Sequence, residues 1–91
     1  MMKATIHKCE WLDDDQRIAK ISREEIELPK KNRLEFLQKI VGGLIDFVYL
    51  DDKDLIINDE GLLLNLPLNP FAISLGYHLV GNIVEVHGKL K

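Results

Sequence analysis

Residues 32–42 read NRLEFLQKIVG, and this stretch predicts the main helix against which the rest of the chain packs. Its apolar residues recur three and four positions apart and therefore fall on one side of a helix: Leu34, Leu37, Ile40 and Val41. Asn32 can cap the free backbone N–H groups of the first turn, and Glu35 completes a capping pair. Gly42 suits the position after the helix, where a positive φ is needed. We therefore predict a helix over residues 32–41.

Three strands are predicted after this helix, and they form a meander: residues 44–50, 55–58 and 62–64. The first of them is apolar on both faces except at Asp46, which indicates a central strand covered on both sides, or on one side with an aromatic-rich second face. Residues 51–54 supply a polar hairpin connection. A second tight turn at residues 59–61, with Gly61 at a positive φ, leads into the third strand.

Both ends of the chain supply further strands. Residues 2–7 alternate between apolar and polar, and the change of phase at Cys9 and Trp11 indicates a bulge or the end of that strand. Two short strands at 17–21 and 25–28 return across it. Residues 83–87 are typical of an edge strand, with valines inward and Glu85 outward.

A short helical turn is predicted at about residues 70–75, because Asn69 suits the N-cap and Pro70 the first helical position. Gly76 ends it. The order of elements predicts one α+β domain over residues 1–91. Its mostly antiparallel sheet consists of the three-strand meander plus N- and C-terminal strands, packed on the main helix and the helical turn.

The composition indicates a soluble globular domain, since 46% of the 91 residues are apolar and 30% are charged. A lone cysteine allows no internal disulfide, which fits a reducing cytoplasm. No signal-peptide run and no apolar stretch of membrane-spanning length is present, so we expect a cytoplasmic protein without a membrane partner.

The charge is unevenly distributed along the chain. The net charge is −3, and residues 42–88 hold Lys53 as their one base against seven acids. Long-range attraction to nucleic acid is therefore disfavoured, and a basic protein partner is favoured.

The inventory of reactive residues is small, and we predict no catalytic residue, no metal site and no cofactor. The hydroxyls lie outside any nucleophile-elbow motif, and the histidines and Cys9 lack the short paired spacings of zinc ligands. His7 can share a strand face with Cys9, but two unrelated side chains are the more common outcome. The loop that begins at Asp52 resembles a calcium loop, but Ile56 and Ile57 occupy positions that need a ligand and a glycine.

Two charged clusters are candidate contact sites. The acidic hairpin tip contains Asp51, Asp52 and Asp54. The basic cluster contains Lys30, Lys31 and Arg33 at the start of the main helix. Solvated charges are common at both kinds of position, so each cluster also has a purely structural interpretation.

From Leu34 onward the sequence resembles the domain-of-unknown-function family 3846. Four motifs occur in order: residues 34–45, 57–61, 66–69 and 80–82. The resemblance implies a small protein carried by phages, plasmids and integrated elements, without an established reaction. Glu60 and Asn69 are the polar members of these motifs that the fold alone least requires, so they are further candidate contact residues.

Three functional hypotheses follow. The first is a non-enzymatic protein-interaction module of a mobile element, which in one form mimics nucleic-acid phosphates with its carboxylates. The second is a nucleic-acid accessory factor that uses the basic cluster. The third is a small-ligand binder or enzyme around Asp46, the carboxylate alone within an apolar strand. Outward leucine and phenylalanine side chains of the meander can also form a homodimer face.

Overall fold

The computed structural model describes residues 2–13, Asp15 and residues 18–88, and this part of the chain contains five strands and two helices. In chain order they are β1 Lys3–Trp11, β2 Ala19–Glu27, α1 Arg33–Val41, β3 Ile45–Tyr49, β4 Asp54–Asn58, α2 Pro70–Ser74 and β5 Ile83–Val86. The strands form one sheet in the order β2-β1-β5-β4-β3, and each neighbouring pair is antiparallel. The predicted α+β class with a mostly antiparallel sheet is confirmed.

One face of the sheet packs against α1, and we call it the α1 face. Leu37 and Val41, which are one helical turn apart, are the buried residues of α1. They join a cluster of buried side chains from three strands and the β2–α1 connection: Ala4, Ile6, Leu28, Ile56, Val84 and Val86. Alternation along each strand places these residues on the same side of the sheet.

The opposite face, which we call the α2 face, is covered by α2. Ala72 of this helix packs on Leu55 and Ile83, and all three side chains are buried. The Asn69 side chain caps α2 by accepting a hydrogen bond from the backbone N–H of Phe71, with Pro70 in the first turn. The predicted cap and helical turn are confirmed, and the turn ends before Gly76, whose φ is +87°.

The predicted positions of two strands within the sheet were wrong. The apolar residues of β3 predicted a central strand, but β3 lies at an edge of the sheet. β5, predicted as an edge strand, lies at the centre between β1 and β4. The prediction placed β5 at the edge because Glu85 was expected to point into solvent. Glu85 instead lies on the α2 face, where His7 and Lys53 form hydrogen bonds with its carboxylate.

The third strand of the predicted meander is also absent, because residues 61–65 form turns. Gly61 does not have a positive φ. It is required for space instead, since a Cβ at this position would lie 2.6 Å from Cγ2 of Val80. The hairpin of β3 and β4 is confirmed.

In the N-terminal part, β1 is longer and more regular than predicted. It pairs with β2 without a bulge from Lys3, opposite Glu27, to Trp11, opposite Ala19. The two short return strands that were predicted are one continuous strand, β2. Cys9 is buried on the α2 face because the segment around Leu68 covers it.

At the start of α1, Asn32 is in the left-handed region and makes no side-chain cap hydrogen bond, so that part of the prediction was wrong. Gly42 has the predicted positive φ.

Candidate functional site

The most unusual surface feature is a turn of three leucines exposed to solvent, which we call the leucine turn (residues 62–64). Leu62 and Leu63 are 82% and 83% exposed, and Leu64 is 52% exposed. Single exposed leucines are common on protein surfaces, but consecutive ones at this exposure leave a patch of apolar area in water.

The leucine turn has a defined backbone conformation. The N–H of Leu64 donates to the carbonyl of Glu60, and the N–H of Leu66 donates to that of Gly61, at 3.0 and 3.1 Å. The indole N–H of Trp11 in β1 donates to the carbonyl of Asn65 over 2.7 Å. The turn is therefore hydrogen-bonded within itself and to β1, and its leucines are exposed in this ordered conformation.

Close packing of two glycines strengthens this attachment. Gly61 lies against Val80, and a Cβ on Gly81 would lie 2.7 Å from Cδ1 of Leu66. Gly81 also has a φ of +76°, a conformation that glycine adopts without strain. The two ends of the turn are thus held against the segment that enters β5.

A groove of about 390 Å³ runs beside the leucine turn. Its walls are Ile57, Asn58, Asp59, Glu60, Gly61, Leu62, Leu63, His78, Leu79 and Val80. Asp59 and Glu60 are exposed at the start of the turn, so an apolar patch adjoins two carboxylates. This arrangement can accept an apolar side chain together with a cation.

The second notable arrangement is a row of polar side chains on the α2 face. Nε2 of His7 donates to a carboxylate oxygen of Glu85 over 2.9 Å, and Nζ of Lys53 donates to the other oxygen over 2.6 Å. Thr5 and His87 share a further hydrogen bond of 2.8 Å. The ring of Phe71 stacks on His7, with the centroids 3.5 Å apart.

The charges of this row are satisfied within the protein. Burial opposes ionisation of Glu85, but the hydrogen bonds from Lys53 and His7 outweigh it and lower the pKa of that carboxyl. Such a group is a poor general acid or base near neutral pH. The row is consequently best described as a structural element that anchors α2 to the sheet.

Cys9 lies on the same face of β1 as His7, but it does not form a reactive pair. Its thiol is buried and donates to the carbonyl of Leu68 over 3.4 Å, whereas His7 is bonded to Glu85. Burial raises the pKa of the Cys9 thiol, and the neighbouring carboxylate of Glu10 raises it further. A thiol of this kind is a weak nucleophile.

No group of three or more histidine, cysteine, aspartate or glutamate side chains is placed to hold a metal ion among the residues the structure describes. Within the same residues, no helix has the length and apolar character needed to cross a membrane.

The acidic hairpin tip is smaller than the sequence predicts. Asp51 and Asp52 are exposed between β3 and β4. Asp54 is instead the first residue of β4, opposite Val86 in the central strand, and it is only 2% exposed. The prediction of Asp54 as a solvated contact residue was therefore wrong.

The two candidate contact residues from the family motifs also differ in their exposure to solvent. Glu60 is exposed at the start of the leucine turn and remains available for contact. Asn69 is 1% exposed, and its Nδ2 donates to the carbonyls of His7 and Gly81 at 3.0 and 2.7 Å. Because Asn69 joins α2 to β1 and to the segment that enters β5, its role is structural and the contact prediction was wrong.

The remaining candidates are not brought into a common site. Lys30 and Lys31 are exposed before α1, while Nε of Arg33 donates to the carbonyl of Pro29 over 3.0 Å. Asp46 is exposed on the edge strand β3, and its carboxylate accepts from the N–H of Phe47. This is the outward, hydrogen-bonded carboxylate that is the common alternative to an acid–base group in a pocket.

Sequence reasoning missed the leucine turn and the polar row. Three consecutive leucines do not alternate, and they follow Gly61 directly, which favours a displayed turn over a strand. Lys53, the one base among seven acids in residues 42–88, was a signal for an ion pair with one of them. Its pairing with Glu85, 32 residues later, depends on the order of the strands and does not follow from spacing.

The family comparison matches residues 12–89 to the family described as Domain of unknown function (DUF3846). The comparisons with curated proteins and with solved structures found no match.

Proposed function

The chain belongs to the DUF3846 family, and on that premise we propose that it is a non-enzymatic, cytoplasmic protein-interaction module of a mobile element. The leucine turn is its contact surface. Its partner is a protein with an apolar cleft bordered by lysine or arginine side chains.

The observation that carries this proposal is the exposure of Leu62 and Leu63 on a fixed backbone. Transfer of a leucine side chain from water into an apolar cleft contributes about 1.5–3 kcal/mol. Because the turn is already ordered by Trp11 and by the glycine contacts, little conformational entropy is lost when a partner covers it.

The charge of the surroundings determines the kind of partner. Asp59 and Glu60 adjoin the turn, and residues 42–88 carry a strong excess of acids. The negative electrostatic potential of these acids speeds association with a cleft bordered by bases and makes binding more specific. The same potential repels an acidic protein or a nucleic acid.

The function is tested by affinity capture from cell lysate with three forms of the protein. They are the native chain, the double variant Leu62→Ser with Leu63→Ser, and the control Leu34→Ser, which changes a leucine that is 55% exposed on α1. We expect a protein that the native chain and the control retain and the double variant loses. The purified partner should then bind the double variant at least about a hundredfold more weakly.

Charge provides an independent arm of the same experiment. Glu60→Lys should weaken binding of the purified partner, and added salt should reduce the difference between this variant and the native chain. If no protein is retained in a manner that depends on the leucine pair, the proposed function is wrong.

A further inference from the structure

β2 presents a long unpaired edge. It is the terminal strand of the sheet, and its one neighbour among the described residues is β1. Residues 20–25 of this strand are all exposed. An edge strand of nine residues with free backbone groups is a template for pairing with another strand.

The hydrogen bonds to β1 determine which backbone groups point outward. The N–H of Leu28 donates to the carbonyl of Met2, and the carbonyl of Ile18 accepts from Leu12, at 2.9 and 2.8 Å. Even-numbered residues of β2 therefore direct their backbone groups toward β1. In an antiparallel ladder the intervening residues point the other way: Ala19, Ile21, Arg23 and Glu25.

We propose that two copies of this chain pair through β2, antiparallel about a two-fold axis that passes through Ser22. In this register Ile21 lies opposite the partner's Arg23, and Ala19 lies opposite the partner's Glu25. All of these residues have outward backbone groups, so the hydrogen-bond ladder is complete across the interface. The sheets of the two copies become one.

The side chains of β2 are complementary to themselves in this register. Lys20 lies opposite the partner's Glu24, and the two-fold axis repeats the pair. These residues form a non-hydrogen-bonded pair, in which side chains approach most closely. Within each copy, Glu10 of β1 lies opposite Lys20, and Nζ of Lys8 lies 3.6 Å from Glu24, so the charges alternate across both sheets.

An apolar pair flanks the charged pairs. Ile18, which is 56% exposed in the single chain, lies opposite the partner's Ile26. Ile26 already packs against the core on the α1 face. Pairing therefore covers an exposed isoleucine at each end of the new ladder.

The neighbouring registers are less favourable. An axis through Arg23 places two guanidinium groups opposite each other, and an axis through Glu24 places two carboxylates opposite each other. An axis through Ile21 brings Lys20 opposite the partner's Ser22, so both ion pairs between Lys20 and the partner's Glu24 are lost. Charges on an edge strand usually deter pairing, but on β2 they select one register.

The fold leaves room for the second copy. α1 packs over β3, β4 and β5, and therefore lies away from the β2 edge. The leucine turn plays no part in this interface, so the dimer and the proposed function are independent.

The test is sedimentation equilibrium of the full chain with charge reversals at the pair. The native chain should be a dimer, and Lys20→Glu and Glu24→Lys should each weaken association at least about tenfold. Each variant alone places like charges opposite each other. An equimolar mixture of the two variants should form a heterodimer, because residue 20 of one copy faces residue 24 of the other.

Two controls make the result specific. Lys31→Glu makes the same charge change outside β2 and should leave the dimer intact, as should Leu62→Ser with Leu63→Ser. Thermal melting confirms that the variants fold. A native chain that stays monomeric at millimolar concentration, or a dimer that neither reversal weakens, overturns the proposal; so does a mixture that does not associate.

Discussion

Phe71 of α2 lies flat on the imidazole ring of His7 from β1, with ring centroids 3.5 Å apart and ring planes 6° apart. The same imidazole donates to Glu85 of the central strand, and Lys53 holds the other oxygen of that carboxylate. A helix of five residues is too short to be stable alone. The stacked ring and the cap at Asn69 fix it across the sheet.

The ion-pair row predicts a specific acid sensitivity. The pKa of Glu85 is lowered in the folded chain, so its contribution to stability is present above its ordinary value of 4.5 and is lost as the pH falls through the lowered pKa. Glu85→Gln should cost about 1–2 kcal/mol at neutral pH and flatten the acid limb of the stability curve. Urea denaturation over a pH series measures both effects.

The matched control is Asp52→Asn, which neutralises an exposed carboxylate at the hairpin tip. It should leave the free energy of unfolding and its acid limb nearly unchanged. If Glu85→Gln has the same small effect, the row does not stabilise the fold through this carboxylate.

The buried amide of Asn69 predicts a large effect from a change of one atom. Asn69→Asp keeps the acceptor for the N–H of Phe71 but replaces a donor that serves the carbonyls of His7 and Gly81. A carboxylate oxygen would then face two carbonyl oxygens, so we expect a loss of at least about 3 kcal/mol. Asn32→Asp, at a residue without a side-chain cap bond, should cost far less. Equal losses in denaturant titrations would contradict this role.

Local sequence patterns predicted the two helices and the β3–β4 hairpin, but not the places of the strands in the sheet. The helical periodicity of residues 34–41 and the Asn69-Pro70 pair act within a few residues, and both elements formed where expected. The order of strands depends on contacts between residues far apart. Apolar residues of β3 pack against the buried clusters on both faces of the sheet even at its edge. β5 tolerates Glu85 at the centre because Lys53 and His7 come from other parts of the chain.

The candidate site is harder to anticipate for the same reason. The family motif identifies Glu60, and this residue does lie beside the exposed leucines. The three leucines were predicted to be a strand because of their hydrophobicity, but hydrophobicity alone does not distinguish a buried residue from an exposed one. Their exposure results from Gly61 and Gly81 closing on Val80 and Leu66, contacts that sequence spacing does not reveal.

The environment of Cys9 predicts a protected thiol. Burial raises the pKa of the thiol, and the thiol donates a hydrogen bond to the carbonyl of Leu68. A thiol reagent can therefore reach Cys9 only when the fold opens locally or globally. A chromogenic disulfide reagent should react with the native chain at least about a hundredfold more slowly than with the chain in urea. Ser74→Cys in a Cys9→Ala background provides an exposed thiol on α2, outside the proposed dimer interface, as the fast control. Similar rates for the two thiols would contradict the assigned burial.

Alanine substitutions of three glycines near the leucine turn and α2 distinguish the stability cost of backbone strain from that of a steric clash. Gly76 has a φ of +87°, and a Cβ at this position would have no neighbour within 4 Å, so Gly76→Ala should cost about 1–2 kcal/mol from strain alone. Gly81→Ala adds a collision with Leu66 and should cost about 1–3 kcal/mol more. Urea denaturation of the two variants measures this difference, and equal losses would mean that Leu66 moves aside freely.

Gly61 does not have a positive φ, so the loss of stability in Gly61→Ala should come only from the steric clash of the new Cβ with Val80. This loss should be smaller when Val80→Ala removes the clashing methyl group. A double-mutant cycle in urea measures this coupling between positions 61 and 80. Because the collision would displace the leucine turn, Gly61→Ala should also weaken capture of the partner, and Val80→Ala should restore it. Additive costs in the cycle would mean that the turn is not held by this contact.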